Sequence, residues 1–462
     1  MRTIVIAAAV LALAGCATTA PDALRRDVAE LAAHRTGLPS ASGQATLAQL
    51  LAQQPLAADA AVRIALLNSP ALEASLAALS ISDAERVEAA QPANPHLALG
   101  RLREAQTLEI ERMLSFNVLN LLTLPWRAQY AGQKLELAKL RAAQEVIRTA
   151  ADTRKAWYSA VAAQQTARYM RDAREAAEAA GELARRMARV GNWSKLQQAR
   201  EQATLASITA QLARAEQAAV AERERLTRLM GLWGTQAQYT LPDRLPDLPK
   251  ALTERGEIEA VALRERLDVR TAKDESRYIA ASLGFTRATG VIDALEVGIV
   301  RNTLFDNAEG GRDTKRGFEL GLPLPIFDWG QARSARAEAT YMQSVARVRE
   351  VAVRARSEAR EAWHGWRTAY DLAKHYRDEI VPLRKFINDE TVLRYSGMLS
   401  SVFDVLAEAR NQVTAVNEAI AAQRDFWIAD TDLQTALTGT SPGALATLTG
   451  GAFEPAGAAQ GH

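Results

Sequence analysis

Glu361 and His364 have the spacing in this 462-residue chain that most invites a chemical reading. On a helix, Glu-x-x-His puts a carboxylate and an imidazole on one face, the arrangement that supplies part of a di-iron site in four-helix bundles. Such a site needs a second copy and two further glutamates, and no second Glu-x-x-His exists in the chain. The five histidines stand scattered at 34, 96, 364, 375 and 462, and the single cysteine, Cys16, excludes both an intrachain disulfide framework and a multi-cysteine zinc centre. No P-loop or His-Glu-x-x-His occurs. Trp157, Trp363 and Trp366, at helical spacing, read as packing residues. The chain is therefore expected to be no enzyme and to hold no cofactor and no metal. With 56 Lys and Arg against 54 Asp and Glu, and no block of like charge, it offers nothing that would neutralise a run of phosphates on nucleic acid.

The lone thiol carries a different chemistry. Met1 to Cys16 holds a basic residue at Arg2, an apolar run from Ile4 to Ala14, and then Leu13-Ala14-Gly15-Cys16. The run is too short to span a bilayer as a helix, so residues 1–15 read as a secretory signal. The small residues before Cys16 resemble the lipobox of bacterial lipoproteins, in which the thiol takes a diacylglycerol and cleavage leaves the cysteine, palmitoylated, at the head of the mature chain. By the same resemblance, Ala17 in place of Asp points to the outer membrane. One lipid holds weakly, so a second membrane signal is expected.

No later stretch has 18 consecutive apolar residues, which leaves a β-barrel as the only spanning structure. Two places carry period-two patterns. Leu108, Ile110, Leu114, Phe116 and Val118 alternate with Glu109, Glu111, Met113, Ser115 and Asn117, with Arg112 interrupting the oily set, and His96 to Arg103 supplies a partner strand through a turn at Glu104 to Thr107. In the second, Val291, Leu295, Val297 and Ile299 alternate with small and polar residues, as do Phe318, Leu320, Leu322 and Leu324, and Asn302 to Arg316 reads as an exposed loop between them. The oily residues are expected to face lipid and Ser115 the lumen. The alternative is a pair of soluble hairpins packed on helices. Four strands of about 9 to 11 residues suit a bilayer but cannot close a barrel, which takes about eight, so closure must be shared among chains.

The remaining sequence is helical. Its 48 % hydrophobic content is rich in alanine and only 6 % is aromatic, which favours closely packed helices over a thick core. Arg127 to Val190 runs 64 residues with no proline, about 95 Å as a helix. It turns at Gly191-Asn192-Trp193-Ser194 and returns over Lys195 to Met230, and Ala58 to Ala90 supplies the missing length ahead of the first hairpin. The second half repeats the plan: Gly256 to Leu283, a hairpin, Gln331 to Tyr395, the turn Ser396-Gly397-Met398-Leu399, and Ser400 to Leu437. Ala156-Trp157 matches Ala362-Trp363, and the period is about 206 residues. Pro382 marks an expected bend. The expected order is an N-terminal anchor segment (16–57), a first repeat (58–231, hairpin about 96–120), a linker (232–254), a second repeat (255–440, hairpin about 291–326) and a disordered tail (441–462). The fold class is mainly α, long antiparallel coiled-coil helices in two tandem repeats, with a small membrane β portion.

From about Ala58 to Gly439 the chain resembles the TolC-like family of outer-membrane efflux factors. The resemblance rests on Ala61-Val62-Arg63-Ile64-Ala65-Leu66-Leu67-Asn68-Ser69-Pro70-Ala71-Leu72, on Pro92-Ala93-Asn94-Pro95, on Leu322 to Gln331 ahead of the second long helix, and on Tyr395-Ser396-Gly397 with Ser401-Val402-Phe403-Asp404-Val405-Leu406 at the turn. The family implies a homotrimer whose shared 12-stranded barrel continues as a helical tunnel into the periplasm. It also implies an outer-membrane location, a periplasmic adaptor protein at the helix tips, and an inner-membrane pump of the resistance-nodulation-division type. The implied function is a passive exit duct for small molecules or metal ions, the alternative being the outer-membrane channel of a type I protein secretion system. A purely structural coiled-coil lipoprotein would explain the helices and lipid but not the hairpins. Gly191, Gly397 and Asp404 mark the tips where three copies could converge into a gate, with Arg394 and Tyr395 as donors by resemblance. An N-terminal helix-stabilising role for Asp404 stands beside that reading. By the same resemblance, Gln197 stands where the first-half turn often has an acid, and Ala407 where some members carry a second tip acid.

Overall fold

The computed structural model describes residues 19, 21–36, 46–105, 107–253, 256–289, 295–306, 310–324, 326–443 and 445. The expected signal at 1–15, Cys16, Val291 and most of the C-terminal tail lie outside the described residues. The chain is 73 % helical with one small antiparallel sheet. The described elements begin with α1 (Pro21–Thr36) and α2 (Leu47–Leu51), followed by α3 (Ala58–Asn68) and α4 (Pro70–Ala89). Strands β1 (His96–Glu104) and β2 (Thr107–Asn117) lead through the short α5 (Val118–Leu122) to α6 (Leu124–Arg189), a single helix of 66 residues. The return is α7 (Lys195–Leu229). The second half holds α8 (Ile258–Glu265), α9 (Leu267–Thr289), β3 (Glu296–Asp306), β4 (Gly311–Gly321), α10 (Gln331–His375), α11 (Val381–Ser396) and α12 (Val402–Gln434). No single helix among the described residues is long and apolar enough to cross a membrane.

Two compact units divide these elements, the first made of Met1–Val28, Ser75–Ala142 and Val269–Ala352, the second of Ala29–Ala74, Ala143–Asp268 and Val353–His462. The first holds the sheet. All four strands pair in sequence order, β1-β2-β3-β4, each antiparallel to the next. Beside it, Tyr130 of α6 lies edge-on to Tyr278 and Phe285 of α9 and donates its hydroxyl to Ala281 O at 2.7 Å.

The second unit is the alanine-rich helical core. Ala61, Ile64, Ala65, Ala156, Ala160 and Val161 are buried together, small side chains letting helices approach closely. The Trp157 ring donates Nε1–H to Leu56 O at 2.9 Å, and Tyr158 stacks on Trp427 with ring centres 5.5 Å apart. Burial pushes the Tyr158 hydroxyl up to about 12, with Asp430 and Asp59 adding to the effect and Arg154 opposing it. The folded state thus prefers the neutral phenol, and the stability this gives is lost as pH rises from the ordinary tyrosine value through 12. In the second half the indole that enters the core is Trp366, which donates to Asp430 Oδ1 at 2.9 Å, whereas Trp363 is only half-buried.

Several sequence expectations are refined. The stretch expected to run unbroken from Ala58 to Ala90 stops at Ser69, because Pro70 has no N–H to continue the ladder and begins the next helix. The expected helix from Gln331 to Tyr395 is interrupted by a π-turn at Tyr376–Ile380, directly ahead of Pro382, where the extra residue in the turn accommodates the missing donor. The segment read as a linker is part of the core, since Leu232, Tyr239, Leu241, Leu245 and Leu248 are all buried. Gly231, at φ +66°, ends α7 against α3, and a Cβ there would sit 2.3 Å from Asn68 O. Asn68 Nδ2 in turn donates to Gly231 O at 2.8 Å.

Candidate functional site: the helix tips and the four-stranded sheet

At the tips both long helices stop in the same way. After α6, Gly191 takes φ +79°, its N–H reaches Ala188 O at 3.2 Å and Asn192 N–H reaches Met187 O at 3.0 Å. After α11 the left-handed residue is Met398, at φ +60°, with Met398 N–H to Tyr395 O at 2.9 Å and Leu399 N–H to Arg394 O at 2.8 Å. Each is a Schellman closure. Gly397, expected to be the turning glycine, sits one position early with φ −85°, so the counterpart of Gly191 is Met398 and not Gly397. The six-to-one hydrogen bond fixes which position is left-handed, and a glycine one residue upstream is not recruited.

Three residues beyond each closure, a serine caps the returning helix. Ser194 accepts from Gln197 N at 3.2 Å while Gln197 Oε1 accepts from Ser194 N at 2.7 Å. Ser401 accepts from Asp404 N at 3.3 Å, and Asp404 Oδ2 accepts from Ser401 N, Ser401 Oγ and Ser400 Oγ at 2.8–2.9 Å. These are reciprocal capping boxes, so Gln197 has a structural task equivalent to that of Asp404. The sequence signal was present as Ser-x-x-Gln and Ser-x-x-Asp. The Ser401 backbone N–H, then the Ser401 and Ser400 hydroxyls, hold the Asp404 carboxyl below the usual aspartate range. The cap is therefore complete above the ordinary carboxylate range and is lost as pH falls through the lowered value. Asp404 is exposed, as are Arg394 and Tyr395. Within the chain Arg394 donates to Glu390 Oε1 at 3.1 Å, one turn back on its own helix, and not to Asp404. The two turns are tied by Trp193, which stacks on Phe403 at 4.4 Å, a contact no local pattern announced.

The strands settle the register. Leu97 pairs with Leu114, Leu114 with Ile299, and Ile299 with Phe318, while Phe116 pairs with Val297 and Val297 with Leu320. These residues share one face with Leu108 and Ile110. Ser115, Gly298 and Glu319 lie opposite one another on the other face, where Asn302 Nδ2 also donates to Glu109 Oε1 at 3.1 Å. The strands are 9, 11, 11 and 11 residues long. Three expected limits move. Leu322 lies beyond the end of β4, since Pro323 cannot donate to a ladder and pairing ends at Gly321. Val118 starts α5, because Asn117 Oδ1 caps it by accepting from Asn120 N at 2.9 Å. Most of the expected loop Asn302 to Arg316 is strand, pairing Asn302 with Lys315 and Thr303 with Thr314. An exposed hairpin needs no apolar alternation to pair its backbones.

Glu361 and His364 are both exposed, and no group of three or more His, Cys, Asp or Glu able to hold a metal occurs among the described residues.

No family model matches the chain, and no curated protein matches it. Solved structures do. The CmeC outer membrane channel of Campylobacter jejuni superposes over 88 % of this chain and 90 % of its own with a TM-score of 0.69 at 14 % identity. The outer membrane protein VceC of Vibrio cholerae covers 86 % of this chain and 100 % of its own, with a TM-score of 0.68 and 16 % identity. The open state of the MtrE outer membrane channel of Neisseria gonorrhoeae covers 83 % and 89 %, with a TM-score of 0.66 and 18 % identity. On this likeness the fold of the chain is that of the TolC-like outer-membrane channels.

Proposed function

We propose that this protein is the outer-membrane exit duct of a tripartite efflux pump. The observation that carries the reading is the sheet: four strands of bilayer-crossing length, one apolar face near the helix end, and two free edges on β1 and β4. Open edges cannot persist in lipid. Three copies would give twelve strands and remove every edge, with the apolar residues Leu114, Phe116, Phe318 and Leu320 outward and the acidic face lining a water-filled lumen. The two halves carry the same closure and capping box 207 residues apart (Gly191 to Met398, Ser194 to Ser401), which supports a duplicated chain. In this reading the tips meet a periplasmic adaptor and receive small molecules or metal ions from an inner-membrane pump of the resistance-nodulation-division type. The duct itself consumes no nucleotide. Light scattering of detergent-solubilised protein should give about 145–150 kDa of protein, three 50.1 kDa chains less their signals. A monomer mass would sink the barrel argument.

Two finer features belong to the same proposal. Cys16 carries the lipid, so Cys16→Ala should abolish labelling by radioactive palmitate and processing at Gly15-Cys16; labelling that persists refutes the lipobox reading. At the tips, Asp404 uses Oδ2 for the cap, and Oδ1 makes no hydrogen bond among the described residues, leaving it for the axis of a trimer. Three such carboxylates would favour cations, with Arg394 and Tyr395 nearby. Asp404→Asn keeps a capping side chain and removes the charge, so it should lower cation selectivity in planar-bilayer conductance. Asp404→Ala should in addition speed amide exchange in the first turn of α12. Unchanged selectivity in both variants would leave Asp404 with the cap alone.

A further inference from the structure

The register sorts the charges of the sheet by face. Arg101, Arg103, Arg112, Arg301, Arg312 and Arg316 all fall on the face that carries Leu97 and Phe318, and no acidic strand residue shares it. The other face holds the acids, among them Glu109, Glu111, Asp306 and Asp313, with Lys315 the one lysine or arginine of its strands. The six guanidiniums are also sorted along the strands. The helix end of their face is apolar, with Leu97, Leu114, Phe116, Ile299, Phe318 and Leu320, and every arginine lies from the Leu99–Arg112 rank toward the hairpin turns.

The arrangement opposes folding unless something neutralises it. Arg301 faces Arg316 directly across β3 and β4, and Arg112 falls in the same rank between the Ile110–Thr303 and Met113–Val300 pairs. Like charges directly opposite in a sheet repel. Their recorded partners are neutral: Arg112 Nη1 lies 3.4 Å from Thr303 Oγ1, and the Arg312 guanidinium sits 5.5 Å above the Phe305 ring. None of the six forms an ion pair among the described residues, and all but the half-buried Arg112 are exposed.

We propose that the turn end of this face is a binding surface for phosphorylated lipid head groups of the membrane's outer leaflet. This rests on the channel reading, which turns the face to lipid with the hairpin turns outermost. Arginine is costly at the bilayer midplane and nearly neutral at its interface, so the change from apolar to basic along one face marks where hydrocarbon gives way to head groups. Guanidinium stems extend toward that boundary and their forked donors match phosphate oxygens. A lipid bearing phosphomonoesters supplies the counter-charge that this face lacks, and the neutral neighbours Thr303 and Phe305 do not compete for it.

The test uses the full chain in phosphatidylcholine nanodiscs doped with bis-phosphorylated lipid A or with the same lipid stripped of phosphate, the retained lipid being counted by native mass spectrometry. The wild-type chain should retain the phosphorylated lipid about tenfold better. Arg101→Gln/Arg103→Gln/Arg312→Gln/Arg316→Gln should lose that preference, the milder pair Arg312→Gln/Arg316→Gln should weaken it, and Lys315→Gln on the opposite face should leave it unchanged. Equal retention of both lipids by the wild-type chain overturns the proposal, as does a preference that survives in the assembled arginine variants or falls equally with Lys315→Gln. Failure of the wild-type chain to enter the nanodisc overturns the channel reading and this one together, whereas entry without a phosphate preference overturns this one alone.

Discussion

Replacing Arg266 by methionine is expected to destabilise the helical unit by about 3–5 kcal/mol, the cost of stranding buried charge partners. The Arg266 side chain is completely excluded from solvent at the break between α8 and α9. It grips Asp268 with two donors, Nε at 3.0 Å and Nη2 at 2.6 Å, and reaches Glu358 of α10 through Nη1 at 2.8 Å. Burial pulls against the charged guanidinium, but the Asp268 and Glu358 carboxylates outweigh it and raise its pKa above the ordinary arginine value. Methionine fills much of the volume and leaves both carboxylates facing an apolar group. Arg266→Lys keeps the charge but cannot fork, so it should fall between. Arg266→Met/Asp268→Asn/Glu358→Gln should regain most of the loss, because a buried charge set replaced as a whole is often neutral. Denaturant midpoints of the four proteins measure this. If Arg266→Met lies within about 0.5 kcal/mol of the parent, a surface-like value, the triad is not a fastening point.

Arg266 also marks where the sequence stops being readable. The break at Ser69 had a local sign in Pro70, whereas the break between Glu265 and Leu267 has no glycine or proline and is set by a tertiary charge cluster. The long α6 was legible within a few residues, 127–190 against Leu124–Arg189, since an alanine-rich run without proline has few alternatives to helix. The tip turns were legible as positions but not as conformations, because the left-handed residue is chosen by hydrogen bonds counted back from the helix end, and at the second tip that residue is Met398. In the sheet, period two gave the faces of each strand singly. It could not give the register, and only the register gathers arginines from four strands onto one face. The apolar stripe is consequently shorter than alternation alone suggests, with Leu108 and Ile110 lying among basic residues and not in a continuous oily band.

That shortened stripe gives the second large effect. Leu320→Arg is expected to cost about 2–4 kcal/mol of barrel stability if its rank lies near the bilayer midplane, which lowers the ratio of folded to unfolded chain by roughly 30- to 1,000-fold. Leu320 is exposed and stands opposite Val297, on the face of Ile299 and the 85 % exposed Phe318. Phe318→Arg should behave alike. Thr314→Arg, on the same face of the same strand but toward the hairpin turn among existing arginines, should be nearly neutral. Glu319→Arg, adjacent in sequence and exposed on the other face, should also be mild. Ser115, expected from the sequence to be the mild lumen-side position, is a poor control, because it is 6 % exposed and a Cβ added at Gly298 would lie 3.5 Å from its own. The measurement is the fraction of membrane-inserted chain that stays assembled through a urea series in liposomes. A protein partner covering this face would penalise arginine wherever packing is tight, whereas a bilayer penalises it by depth. The decisive comparison is therefore Leu320 and Phe318 against Thr314: a graded loss along β4 fits lipid, and equal losses at all three positions would show that the face is covered by something other than a membrane.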